Sequence, residues 1–226
     1  MVMMMILKYI IIFGVIKMVY GFIIRGLKNI SLEPLNILKG KLGEAKVRRI
    51  VKDISSDYRN SGYVNDILIG KLGKKTQIDH ILFIGKDVYV IETKRLKYEV
   101  NGHLYREYWR NGKHHFYNPV MQNESHINAL KGILKDKMLE ELNFHNVVFF
   151  VNKRKKDLYV GSSKPYTYIV RNKRELKKII KENGYTRTLN NNRKIIKFLK
   201  KEGKYKRSDL KRHIQRVKGL QNAYLN

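Results

Sequence analysis

Residues 76–96 read TQIDHILFIGKDVYVIETKRL. Two runs rich in Ile, Val and Phe flank Gly85-Lys86, the pattern of two β-strands joined by a tight turn. A two-residue loop pairs Ile84 with Asp87, Phe83 with Val88, Ile81 with Val90 and Asp79 with Glu92. Any even loop length keeps Asp79 and Glu92 on one face; an unbulged odd loop separates them. Opposed residues have Cβ atoms about 5 Å apart. Two carboxylates at that distance repel by roughly 3 kcal/mol at an effective dielectric near 20. A shared proton or a cation removes that cost. Lys94 shares the face, but one lysine is a single partner for two acids.

Oxygen ligands without cysteine suit a hard ion, Mg²⁺ or Mn²⁺. Such an ion positions a phosphate and acidifies a water, while a lysine stabilises the developing charge. The alternative is a surface hairpin with incidental charges, which the buried look of Ile81 and Val90 disfavours.

Working outward, a helix is predicted over about 40–54, with Val47, Ile50, Val51 and Ile54 as its buried stripe. Glu44 falls on the same stripe, where a carboxylate needs a partner, unless it stays wet at the positive end of the helix dipole. A strand at 63–69 and a turn at 71–75 precede the hairpin. After it, Asn101-Gly102 and Asn111-Gly112 signal type I′ turns and a small meander over 97–117. There Tyr105, Tyr108, Trp109, Phe116 and Tyr117 interleave with Arg106, Arg110, Lys113, His114 and His115. Arg106, Trp109, Arg110 and Lys113 are candidate nucleic-acid contacts; cross-strand aromatic packing is the alternative. Asn118-Pro119 caps a helix running to about 138, with Gln122 and His126 four apart. Strands follow at 144–151 and 166–170, then a helix over 172–182.

Residues 1–24 are almost wholly apolar, interrupted by Lys8 and Lys17. This length spans a bilayer. Arg25, Lys28, Lys39 and Lys41 follow, so the positive-inside rule keeps the remainder cytoplasmic. A buried helix in a soluble protein is the other reading. The expected organisation is an anchor helix over 1–25, a linker over 26–38, a central domain over 39–170 and a basic helical region over 171–226. That last region holds nineteen Lys/Arg against four Asp/Glu, with helices expected near 190–202 and 208–222. The whole chain of 226 residues carries a formal charge of +29 and no cysteine. Disulfides and cysteine-based zinc sites are therefore excluded. The charge points to nucleic acid or an anionic membrane face, or reflects a lysine-rich composition.

Asp79, twelve intervening residues and Glu92-Thr93-Lys94 resemble the PD-(D/E)XK nuclease motif. Gly43-Glu44 opening a helix, Ile78-Asp79-His80, Val90-Ile91-Glu92-Thr93-Lys94, a tryptophan in the meander, and Asn118-Pro119 followed by Gln122 together resemble the nuclease-related domain (NERD). The resemblance covers roughly residues 38–153; no proline precedes Asp79. It implies an α/β fold, an αβββαβ restriction-endonuclease-like core with a mixed sheet flanked by helices. It also implies that Asp79 and Glu92 bind metal, that Lys94 is catalytic, and that Glu44 and Gln122 complete the site, with Glu44 a further ligand. The expected activity is Mg²⁺- or Mn²⁺-dependent phosphodiester hydrolysis in nucleic acid, DNA ahead of RNA, at the cytoplasmic side of a membrane. The alternative is a module that tethers nucleic acid without turnover.

Overall fold

A computed structural model describes residues 33–70, 75–134, 142–184 and 192–203. The expected anchor over 1–25 and the helix near 208–222 lie outside them. Among the described residues no helix is long and apolar enough to cross a membrane. The chain divides into two units, residues 1–39 and 40–226. Of the first, only the opening turns of helix α1 (Glu33–Ser56) are described; the second unit carries the domain below.

Helix α1 starts at Glu33, earlier than the expected Gly40, so residues 33–38 are helix rather than linker. Pro34 allows this because the first turn has no helical acceptor for the N–H it lacks. Strands β1 (Ser61–Ile69), β2 (Thr76–Ile84) and β3 (Asp87–Lys94) form an antiparallel meander. The β2–β3 register runs from Ile84↔Asp87 to His80↔Ile91, as counted from the sequence. Gly85 takes φ +58°, the left-handed position a two-residue hairpin loop needs.

After β3 the chain builds a second sheet from β4 (Val100–His103), β5 (Tyr108–Asn111) and β6 (His114–Tyr117). Helix α2 (Pro119–Ile133) returns it to the first sheet as β7 (Asn143–Phe150), parallel to β3. Strand β8 (Leu158–Gly161) joins the second sheet beside β4, and β9 (Thr167–Val170) completes the first. Helices α3 (Lys173–Glu182) and α4 (Asn192–Glu202) follow. The first sheet has the order β1-β2-β3-β7-β9 and the second β6-β5-β4-β8.

The layers follow from strand alternation. Leu82, Ile84, Tyr89 and Ile91 face Val47, Val51 and Ile54 of α1 and Leu176 and Ile180 of α3. Ile81, Phe83, Val88 and Val90 face Ile127 and Leu130 of α2 and Ile195 and Leu199 of α4. A mixed sheet flanked by helices is therefore the observed core. A third cluster, Val100, Leu104, Trp109, Val120, Val148 and Phe150, fastens the second sheet to the first.

Two expectations about the meander are corrected. Asn101-Gly102 lies inside β4 rather than in a turn. Its glycine is there for space: a Cβ on Gly102 would sit 2.2 Å from the Trp109 ring. The second turn is Gly112-Lys113, with Gly112 at φ +61°. Trp109 itself is 1% exposed and stacks on Phe150 at 6.3 Å. A ring used up in the core has no face left for a base, so Trp109 is not a nucleic-acid contact. Arg106, Arg110 and Lys113 are exposed.

Candidate active site

The site forms where the β1–β2–β3 meander loses its regular pairing. Val64↔Ile81 and Ile67↔Ile78 are paired, and all four side chains pack in one cluster. A spacing of three on one face needs a residue that leaves the extended conformation. Asp66 provides it at φ +52°, a region aspartate tolerates better than most residues. Its carboxylate accepts a hydrogen bond from Gln77 Nε2 at 2.7 Å. Asp79 stands opposite Asp66, between the paired positions Asn65↔His80 and Ile67↔Ile78. Its Oδ2 accepts a hydrogen bond from the Thr93 backbone N–H at 2.8 Å.

Glu92 lies just beyond the last paired residue of β3 on that side and is 4% exposed. Its Oε1 accepts from Lys94 Nζ at 2.7 Å, and its Oε2 lies 3.3 Å from His126 Nε2. Lys94 also donates to Gln122 Oε1 at 2.8 Å. Gln122 sits in the first turns of α2, which the Asn118 side chain starts by accepting from the Val120 N–H. The same asparagine donates to Leu104 O and Arg106 O, locking the second sheet to the helix that carries Gln122.

The electrostatics divide the acids. Burial pushes Glu92 up, but Lys94 and His126 together outweigh it and hold its carboxyl below the ordinary range. Asp79 is driven well above that range by burial first and by the Glu92 charge second, against the Thr93 hydrogen bond. Glu44 is raised by burial, then by Asp66 and Glu92, with Arg48 and Lys41 opposing. Three acids on three elements thus share one field. Lys94 bonds directly to Glu92 and offsets the field on Asp79 less than burial and the neighbouring acids raise it. That surplus is what a divalent ion would neutralise, and the donors are oxygens. Among the described residues, however, no three His, Asp or Glu side chains stand ready to hold an ion.

All five sequence-predicted residues converge on this region: Asp79, Glu92, Lys94 and Gln122 by direct contact or shared backbone, and Glu44 through its field on Asp79. Two partners were missed. His126 contacts Glu92, and its Nδ1 is 2.8 Å from Thr76 Oγ1. Its signal was the Gln122/His126 spacing of four, which puts both on one helical face. Asp66 was missed too; the signal was a polar Asn65-Asp66 pair interrupting an apolar strand.

Residues 39–151 match the nuclease-related domain family. The chain belongs to that family. An uncharacterized protein of Bacillus anthracis is 33% identical over 106 residues, covering 44% of this chain and 49% of that protein. The chain therefore spans about half the length of this curated relative. No solved structure matches the chain. Family membership accounts for the restriction-endonuclease-like core, and it suggests a nuclease-related activity that involves nucleic acid.

Proposed function

We propose that this nuclease-related domain is a metal-dependent phosphodiesterase acting on nucleic acid, DNA ahead of RNA. The observation that carries the reading is the convergence of Asp79, Glu92, Lys94 and Gln122, with Asp79 in surplus negative field. Asp79 and Glu92 would hold Mg²⁺ or Mn²⁺, with Glu44 as the further ligand. Bound there, the ion supplies Lewis-acid polarisation of the phosphate and a more acidic water. Lys94, held between Glu92 and Gln122, has its ammonium fixed within the site. From there it orients the attacking water and stabilises charge on the phosphate oxygens as the bond breaks. Gln122 limits the rotamers of Lys94, and His126 holds Glu92. The apolar segment over 1–25 supports a location at the cytoplasmic side of a membrane, on sequence grounds.

The test incubates the purified chain with DNA and Mg²⁺ or Mn²⁺. Cleavage should require the ion and fall about a thousandfold in Asp79→Ala, roughly 4 kcal/mol of transition-state stabilisation. Cleavage unchanged in Asp79→Ala would sink the assignment.

One observation favours a second reading, a module that binds nucleic acid without turnover. Both Glu92 oxygens already have partners, Lys94 and His126. Calorimetry separates the two: tight DNA binding with no heat of Mg²⁺ or Mn²⁺ binding selects the binding module.

A further inference from the structure

The second sheet turns one face to the core and one outward. Inward go Val100, Trp109 and Phe116, with Gly102 beneath the indole. Outward runs a continuous row across all four strands. His115 on β6 pairs with Arg110 on β5, Arg110 with Asn101 on β4, and Asn101 with Tyr159 on β8. All four are exposed, Tyr159 at 54%.

Three observations indicate what this face fits. First, exposed aromatic surface is concentrated here. Of the eight exposed large apolar side chains among the described residues, Tyr98, Tyr105, Tyr108, Tyr117 and Tyr159 lie on or beside this sheet. Second, the charge is cationic. Residues 97–117 hold four Lys/Arg and three His against two acids. Those acids, Glu99 and Glu107, each stand one residue before a strand rather than in the row. Ammonium groups already sit over rings at the rim: Lys97 over Tyr98 at 5.0 Å and Lys164 over Tyr105 at 5.9 Å. Third, the connections tie the sheet to the site. The chain enters it six residues after Lys94 and leaves it at Tyr117, five residues before Gln122.

We propose that this outward face is a stacking platform for unpaired nucleic acid, delivering a single strand to the neighbouring site. Bases stack on the tyrosine rings, and Arg110 with the rim cations takes the phosphates. Three strand spacings of about 4.8 Å give a row near 14 Å long, room for two or three bases. A duplex cannot use such a surface, because its base faces are already stacked on one another. The proposal rests on the nuclease reading for its substrate class.

Fluorescence anisotropy of the full chain in EDTA, with labelled oligothymidine and with a duplex of equal length, tests it. Tyr159→Ala should weaken single-strand binding about tenfold and leave duplex binding unchanged. Tyr159→Phe, which keeps the ring, should bind as the wild type does. Unaltered single-strand affinity in both Tyr159→Ala and the Tyr159→Ala/Arg110→Ala double variant overturns the proposal. So does an equal loss on both ligands, which would indicate phosphate attraction alone. A change of oligomeric state in the variants, seen by sedimentation, also overturns it and assigns the face to a second copy of the chain. Asp79→Ala cleavage assays on the same preparations keep the two readings apart. Absent cleavage with the expected tyrosine behaviour removes the nuclease reading alone, and the reverse removes the platform alone.

Discussion

Strand β3 carries a carboxylate–histidine pair at each end, and the two pairs differ in what surrounds them. At its start, Asp87 Oδ1 meets His145 Nε2 at 2.7 Å, both buried. The other ring nitrogen lies 3.4 Å from Asn183 Nδ2, and Tyr89 stacks on the ring at 4.5 Å. At its far end, Glu92 meets His126 at 3.3 Å, but Lys94, Asp79 and Glu44 share the neighbourhood. The first pair balances itself within a closed shell. The second leaves an acid over. A buried hydrogen-bonded pair with its partners present is ordinary structure, whereas acids crowded together at a partly covered position are what a site for a cationic cofactor looks like.

The comparison breaks most directly at Asp87. Asp87→Ala strands His145 in the interior and should cost about 3 kcal/mol of unfolding free energy. Chemical denaturation measures that loss. Cleavage per folded molecule should not change, since Asp87 is at the wrong end of β3. Loss of turnover without loss of stability would mean that the closed pair is functional and the contrast false.

His126→Gln sharpens the other side. A group that positions a ligand-bearing carboxylate typically costs 10–100-fold when replaced. Metal titration and cleavage should fall together by about that factor, with little change in stability because Gln keeps a donor. Thr76→Val should give a smaller loss of the same kind, since Thr76 Oγ1 holds the ring by its far nitrogen, away from Glu92.

How much of this was legible in the sequence depended on distance along the chain. The β2–β3 ladder was countable because its turn is two residues long and its strands alternate. Glu44 could be placed on a face because a helix has a fixed period. What was not legible involved partners chosen in three dimensions. Asn101-Gly102 has the composition of a turn, yet a tryptophan seven residues on needs its bare backbone, and packing overrode the local preference. Trp109 looked available for stacking because its neighbours are polar, but those neighbours point the other way. Asp66 was invisible as a member of this field because nothing in the local spacing marks the left-handed residue that breaks the β1–β2 ladder.

A last effect, seen only against pH, concerns His80, the neighbour of Asp79 on β2. Burial, helped by Arg48, lowers its pKa to about 3, against a weaker pull upward from Glu92. Its Nδ1 is 2.8 Å from Asn65 Oδ1, while Nε2 is buried without a partner. The unfolded chain takes up a proton near pH 6.5 that the folded chain refuses until about pH 3. Between those values the unfolded state binds more protons, so stability rises with pH and is lost as pH falls. The slope from this group is about 1.4 kcal/mol per pH unit. His80→Gln should flatten that part of a denaturation-versus-pH curve measured without divalent ions. Asp79 titrates with the opposite sign: its raised pKa makes the folded state bind the extra proton, so ionisation at rising pH costs stability. The two residues are adjacent in β2 yet lean on the curve in opposite directions. A His80→Gln chain should therefore show the Asp79 penalty more openly, and adding Mg²⁺ should remove it if the surplus charge is what the ion binds.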